Sequence, residues 1–165
     1  MIIDLKSIFV NDNASLPVDY LLDMSNFEYA GQFPLKNAVR LVGTITNKAS
    51  LVRLCAKIVF EFSNPCDRCS KPTTTAVTVE EDKILATSIE GEDSDTILLV
   101  PDMKLDLDEL IYTETVVNLP MKHLCKADCK GVCSKCGKDL NEGKCDCPEK
   151  EIDPRLAVLA QLLDN

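Results

Sequence analysis

The stretch Arg53–Val79, RLCAKIVFEFSNPCDRCSKPTTTAVTV, decides how the chain is read. In its first half Leu54, Ala56, Ile58, Phe60 and Phe62 fall on one side of an extended backbone, with Arg53, Cys55, Lys57, Val59 and Glu61 on the other. A period of two with the apolar set on one face predicts a strand that covers a core on one side and meets water on the other. The second half resumes a β pattern from Thr73 to Ile84, through Thr75, Val77 and Val79. Between the two lies Asn64-Pro65-Cys66-Asp67-Arg68-Cys69-Ser70-Lys71-Pro72, a turn-rich connection that puts Cys66 and Cys69 at the end of a hairpin.

Upstream, Val39, Leu41, Gly43 and Ile45 alternate against Arg40, Val42 and Thr44, and Asn47-Lys48-Ala49 reverses the chain, so three consecutive antiparallel strands are expected. Residues 2–10 read as a further strand with Ile3, Leu5 and Ser7 on one side. Residues 11–37 are irregular, with Val18–Met24 forming a short turn of helix or strand. Downstream, 88–95 (SIEGEDSD) is a solvated acidic loop and Ile97–Val100 a short strand. Asp106 or Asp108 caps a helix running to about Asn118, with Leu107, Leu110, Ile111, Glu114 and Val117 near helical spacing and Pro120 ending it. Asp153 as N-cap, Pro154 in the first turn and a stripe of Leu156, Leu159, Ala160 and Leu163 predict a closing helix. The expected fold is α+β: an antiparallel β-sheet or partly open barrel in a body over 1–120, a cysteine-rich zinc-binding module over 121–150, and a C-terminal helix over 151–165.

A chain of 165 residues supports one core of ordinary size plus an appendage, and that core must be aliphatic, because there is no Trp and Phe plus Tyr number eight. No segment is apolar for the eighteen or so residues that a membrane span needs, and Asp4 and Lys6 interrupt MIIDLKSIFV where a signal peptide is apolar, so a cytosolic protein is expected. The net charge of −9 is unevenly spread. Residues 1–120 carry 10 Lys and Arg against 19 acids, whereas 121–150 carry 7 Lys against 5 acids. An acidic body repels phosphate backbones, so any RNA contact is expected through the lysine-bearing cysteine segment or through a protein partner.

Nine cysteines carry the chemistry, eight of them in short-range pairs, and eight thiolates make two tetrahedra. In a reducing cytosol such pairs read as metal ligands rather than disulfides. Cys133 and Cys136 are followed by Gly137, which permits the positive φ of a metal knuckle, and Cys145 and Cys147 project to one side of an extended chain, so these four form one zinc site. Cys66, Cys69, Cys125 and Cys129 form the other, pinning the segment after the helix onto the hairpin tip across 55 intervening residues (70–124). An alternative pairs Cys125 and Cys129 with Cys133 and Cys136. A thioredoxin-like redox role for Cys66 and Cys69 needs a helix N-terminus in a βαβ setting, and strands surround them instead. Cys55 reads as a small residue on a sheet. His123, beside Cys125, is a partly exposed neighbour or a substitute ligand.

No phosphate loop, HExxH helix or nucleophile arrangement occurs, and a four-thiolate zinc has no open position for water, so no enzyme is expected. The hairpin NPCDRCSKP, the run LPMKHLCKADCKGVCSKCGKDLNEGKCDC and the closing DPRLAVLAQLL together resemble the bacterial YceD family, the large ribosomal RNA subunit accumulation proteins. The resemblance implies a role in accumulation or maturation of large-subunit (23S) ribosomal RNA, hence in ribosome assembly, with large-subunit RNA or a pre-ribosomal particle as partner and no small-molecule substrate. It carries over to Cys66 and Cys69, to Cys125 through Cys147, and to Asp153, Pro154, Arg155 and Leu156. Lys122, Lys126, Lys130, Lys135, Lys138 and Lys144 are the candidates for touching RNA, against a role as a solvated face that balances thiolate charge. The competing function is a thiol-based redox sensor or redox-switched chaperone.

Overall fold

The computed structural model describes residues 1–88 and 95–147. The order of elements is β1 (Ile2–Asp4), α1 (Lys6–Val10), β2 (Ser15–Leu22), β3 (Val39–Lys48), β4 (Leu51–Pro65), β5 (Pro72–Ala86), β6 (Ile97–Leu99), β7 (Lys104–Asp106) and α2 (Leu107–Val117). Strands β2 to β6 form one sheet in sequence order, antiparallel from β2 to β5, and β1 pairs with β7 in a separate two-stranded ribbon. The fold is α+β with a mostly antiparallel sheet.

The alternation in β4 is realised residue by residue: Leu54, Ala56, Ile58, Phe60 and Phe62 are buried, and Arg53, Cys55, Lys57, Val59 and Glu61 are exposed. Val39, Leu41 and Ile45 of β3, Val18 of β2, Val79 and Leu85 of β5, Leu5 and Ile8 beside and within α1, and Leu107, Leu110 and Ile111 of α2 complete the same cluster. The opposite face of the sheet meets water and carries cross-strand ion pairs, Arg40–Asp19, Arg53–Asp82 and Lys57–Glu80. Being exposed, each of these contributes little to stability. Cys55 lies on this face, with its sulfur 3.6 Å from Asp82 Oδ1. The β3–β4 reversal is a two-residue turn at Ala49-Ser50, with φ of 52° and 64°, the mirror-image geometry that matches strand twist.

Several expectations need correction. Residues 2–10 do not continue as a strand: Asp4 Oδ1 accepts the N–H of Lys6 at 2.8 Å, the chain turns, and Leu5, Ile8 and Phe9 meet the core at helical spacing. Strand β2 begins at Ser15, three residues before the short element read at Val18–Met24, and Pro17 is tolerated because β2 is a sheet edge. Strand β6 joins β5 in parallel, so the sheet is not wholly antiparallel, and the three-residue β7 has no periodicity long enough to read. In α2, Thr115 is buried where Val117 was expected, and Val117 faces water. Asp106 is the N-cap, its side chain accepting from the N–H of Asp108. The loop reading over 88–95 falls largely, and the closing helix over 151–165 wholly, outside the described residues.

Candidate metal centres

The paired fifteen-residue strands β4 and β5 hold register from Arg53↔Ile84 to Pro65↔Pro72, so the hairpin carries its tip past the last core residue, Phe62. At that tip the N–H of Cys66 donates to Lys71 O (2.9 Å) and the N–H of Ser70 to Cys66 O (2.8 Å), with Ser70 at φ 57°. The same turn recurs 67 residues on: Cys133 N–H donates to Lys138 O (2.8 Å) and Gly137 N–H to Cys133 O (2.9 Å), with Gly137 at φ 74°. Each pair is thus presented by a knuckle in which a left-handed residue turns backbone N–H groups toward sulfur, as Lys135 N–H does toward Cys133 Sγ at 3.4 Å. In both, a lysine five residues after the first cysteine supplies the closing carbonyl.

The structure gathers the eight paired cysteines into two groups, Cys66, Cys69, Cys125 and Cys129 in one, Cys133, Cys136, Cys145 and Cys147 in the other, with all sulfurs of a group within 4.8 Å of one another. A tetrahedral ion with metal–sulfur bonds of about 2.3 Å sets its sulfurs about 3.8 Å apart. The Cys66–Cys129 and Cys69–Cys125 separations are 3.8 and 3.5 Å, so the first group already has the dimensions of such a shell. Both groups could hold metal ions, two per chain.

The two differ in setting. In the first, Cys66, Cys69 and Cys129 are buried, whereas in the second Cys136 is exposed and the other three are half-buried. Burial opposes ionisation of Cys66, but the N–H groups of Cys125, Arg68 and Cys69 facing its sulfur pull the thiol down to about 6. Cys129 is lowered too, burial being outweighed by the Asn141 amide and the Gly131 N–H. Contact with Cys69, burial and the nearby Cys129 and Cys66 sulfurs push Cys125 up to about 12. In the second group the N–H groups of Cys136 and Lys135 bring Cys133 down to about 6, and contact with Cys136 together with burial pushes Cys147 up to about 12. Some sulfurs are thus poised as thiolates while neighbours keep protons that a bound cation would displace.

A polar joint fastens the cysteine segment to the tip. Asp67 N–H donates to His123 O (2.9 Å), and His123 N–H donates to Asp67 Oδ2 (2.6 Å). His123 is buried, with its ring edge-on to Phe62 at 5.1 Å and Nε2 3.1 Å from Thr73 O. It is therefore neither partly exposed nor among the side chains grouped so that they could hold a metal. Arg68 reaches Cys129 O at 2.6 Å, and its own carbonyl accepts the N–H of Val132. Asn141, in the loop between Cys136 and Cys145, reaches back to the first centre: its Nδ2 faces Cys129 Sγ at 3.4 Å and its Oδ1 accepts from Lys130 N–H at 2.9 Å. Lys71 pairs with Asp139 at 2.8 Å, holding that carboxyl down to about 2. None of Asp67, Arg68, Lys71 and Asn141 is marked in the sequence as part of the site. The only signal was the repeated lysine spacing and the turn-forming Asn141-Glu142-Gly143.

Fold and site define a class: a sheet protein whose longest hairpin and a following cysteine-rich segment share one four-cysteine centre, with a second four-cysteine centre built within that segment. The family model for large ribosomal RNA subunit accumulation protein YceD matches residues 54–163, and the chain belongs to the YceD family. It is 24% identical over 163 residues to the Arabidopsis thaliana protein named large ribosomal RNA subunit accumulation protein YCED homolog 1, chloroplastic, covering 81% of this chain and 51% of that one. An uncharacterized Mycobacterium tuberculosis protein is 30% identical over 102 residues, covering 59% of this chain and 49% of its own length. Uncharacterized protein YlbN of Bacillus subtilis is 28% identical over 128 residues, covering 76% and 74%. The chain spans about half the length of the first of these relatives. No solved structure matches it. Among the described residues no helix is long and apolar enough to cross a membrane.

Proposed function

We propose that the chain is a non-catalytic zinc-binding protein of the cytoplasm, with two structural zinc ions, that promotes accumulation or maturation of large-subunit (23S) ribosomal RNA by joining a pre-ribosomal particle. The observation that carries this is the gathering of eight cysteine sulfurs into two groups of four on a member of the YceD family. All-sulfur donor sets suit zinc among common divalent ions, and four protein ligands leave no position for a reacting water, which is the pattern of a structural site. The metal then organises a surface rather than a reaction.

Lys122, Lys126, Lys130, Lys135, Lys138 and Lys144 are all exposed around these centres. Lys126 lies 3.9 Å from Asp128, and Lys138 donates to Lys144 O, while Lys122, Lys130, Lys135 and Lys144 have no ion pair among the described residues. A zinc bound by four thiolates carries a charge of roughly −2, so these lysines meet phosphates as short-range contacts rather than as a steering field.

The test is elemental analysis with native mass spectrometry, followed by co-sedimentation with large-subunit precursor particles. Two zinc ions per chain, and particle association that is lost when Lys122, Lys130, Lys135 and Lys144 become Glu, are expected. A chain without zinc, or one that never associates with the particle, would overturn the reading.

A further inference from the structure

Away from the cysteines, the exit of β2 and the first turns of α2 enclose a groove of about 600 Å³. Its geometry follows from local sequence. Asp23 Oδ1 accepts the N–H of Ser25 at 2.9 Å and Phe27 N–H donates to Met24 O at 2.9 Å, so residues 23–27 form a tight turn anchored by buried Met24. That turn sets the Phe27 ring edge-on to Tyr112 of α2, with centroids 6.1 Å apart and Tyr112 52% exposed. On α2, Asp108 and Glu109 lie one turn before Tyr112 and line the same groove.

The rim has one sign of charge. Asp23, Glu28, Asp108 and Glu109 line the groove, and no Lys or Arg among the described residues does. Asp108 is engaged by the Met1 amino group and Tyr20, whereas Asp23, Glu28 and Glu109 have no cation partner among the described residues. These carboxylates outweigh the half positive charge that a helix N-terminus presents. They also sit on the part of the chain, residues 1–120, that holds 19 acids against 10 Lys and Arg. A preformed aromatic floor with an exposed ring and an anionic rim complements an extended peptide bearing Lys or Arg, whose cations stack on Tyr112 while their stems cover Phe27. It repels nucleic acid.

We infer that this groove is a docking site for a Lys/Arg-rich segment of a basic protein partner. The inference goes beyond the metal-centre reading and does not depend on it, because the groove belongs to the sheet body and none of its described lining residues lies in the cysteine segment.

The experiment is fluorescence anisotropy of the zinc-loaded full chain with a labelled Lys/Arg-Gly peptide, alongside a Glu-Gly peptide and a single-stranded RNA. Binding of the cationic peptide alone is expected, weakened roughly tenfold or more by Glu28→Lys with Glu109→Lys, and barely changed by the charge-matched Glu61→Lys with Glu80→Lys on the outer sheet face. Tyr112→Ala should weaken binding and Tyr112→Phe restore it. Equal losses from both charge pairs would reduce the effect to net charge and overturn the groove. So would RNA competing at the same site, or a self-association abolished by Glu28→Lys with Glu109→Lys, which would make a second copy the occupant. Peptide binding that persists in a chain failing to join precursor particles would overturn the assembly role alone.

Discussion

Changing Cys125 and Cys129 to Ser removes two sulfurs from the buried centre while leaving the hairpin, the sheet and the second cysteine group chemically intact. By sequence distance alone, loss of a metal held at this centre looks costly because it would open a loop of 55 residues. In the folded chain that loop is already closed by the sheet and α2, since only residues 118–124 separate the end of α2 at Val117 from Cys125. The question is therefore local. Ordering the twelve residues 121–132 costs roughly 12–24 kcal/mol at 1–2 kcal/mol each. The direct bonds that remain between 121–132 and the hairpin are the reciprocal Asp67–His123 pair, His123 to Thr73, Arg68 to Cys129 O and Val132 to Arg68 O, with the half-exposed Lys71 pairs to Asp139 and Glu142 adding little. Five such bonds supply about 5 kcal/mol net, and the His123–Phe62 ring contact about 1 more. The balance is unfavourable, so the segment should detach without unfolding the sheet. Hydrogen exchange read by mass spectrometry should show lost protection over 121–132 and at 66–71, unchanged protection over 54–62, and one metal ion left per chain. Protection of 121–132 that survives in the double variant would show that the joint holds by itself. Exchange of 54–62 in step with 121–132 would show that the metal supports the whole fold, and either result refutes the reasoning.

Gly131→Ala and Gly137→Ala form a matched pair, because both glycines are left-handed (φ 75° and 74°) but an added Cβ meets Arg68 O at 2.9 Å only at 131. Thermal melts should show a loss of about 1–2 kcal/mol at 137 and clearly more at 131, with only the latter loosening the tip. Gly43→Ala places a Cβ 2.5 Å from both Ala56 Cβ and Cys55 O, so urea unfolding should show a loss of about 3 kcal/mol or more that Ala56→Gly does not rescue, the carbonyl contact remaining. Burial, with Glu114 nearby, raises Glu81 above its ordinary 4.5 although Lys83 opposes it. A carboxyl with a raised folded-state pKa contributes stability that is present below about 4.5 and lost as pH rises through the folded value, so Glu81→Gln should stabilise the chain near neutrality and flatten unfolding free energy measured from mildly acidic to neutral pH.

The strand period of two in β4, the turn chemistry of 64–72 and a cap for α2 at Asp106 or Asp108 are properties of a few adjacent residues, and each was legible in the sequence because local backbone preference and tertiary burial agree there. The pairing of neighbouring cysteines was legible too, since close spacing is a local constraint on how two sulfurs can face one point, but the sequence left Cys125 and Cys129 open to either partner pair, and the fold sets them beside Cys66 and Cys69. Where the two levels diverge, the fold chose. The turn after Asp4 into α1, the parallel seating of β6 and the β1–β7 ribbon depend on partners far along the chain, and three-residue strands carry no period of their own. The joint of Asp67, Arg68 and His123, the reach of Asn141 to Cys129 and the acidic aromatic groove likewise arise where separate segments meet, and no spacing along the chain encodes which side chains will face one another there.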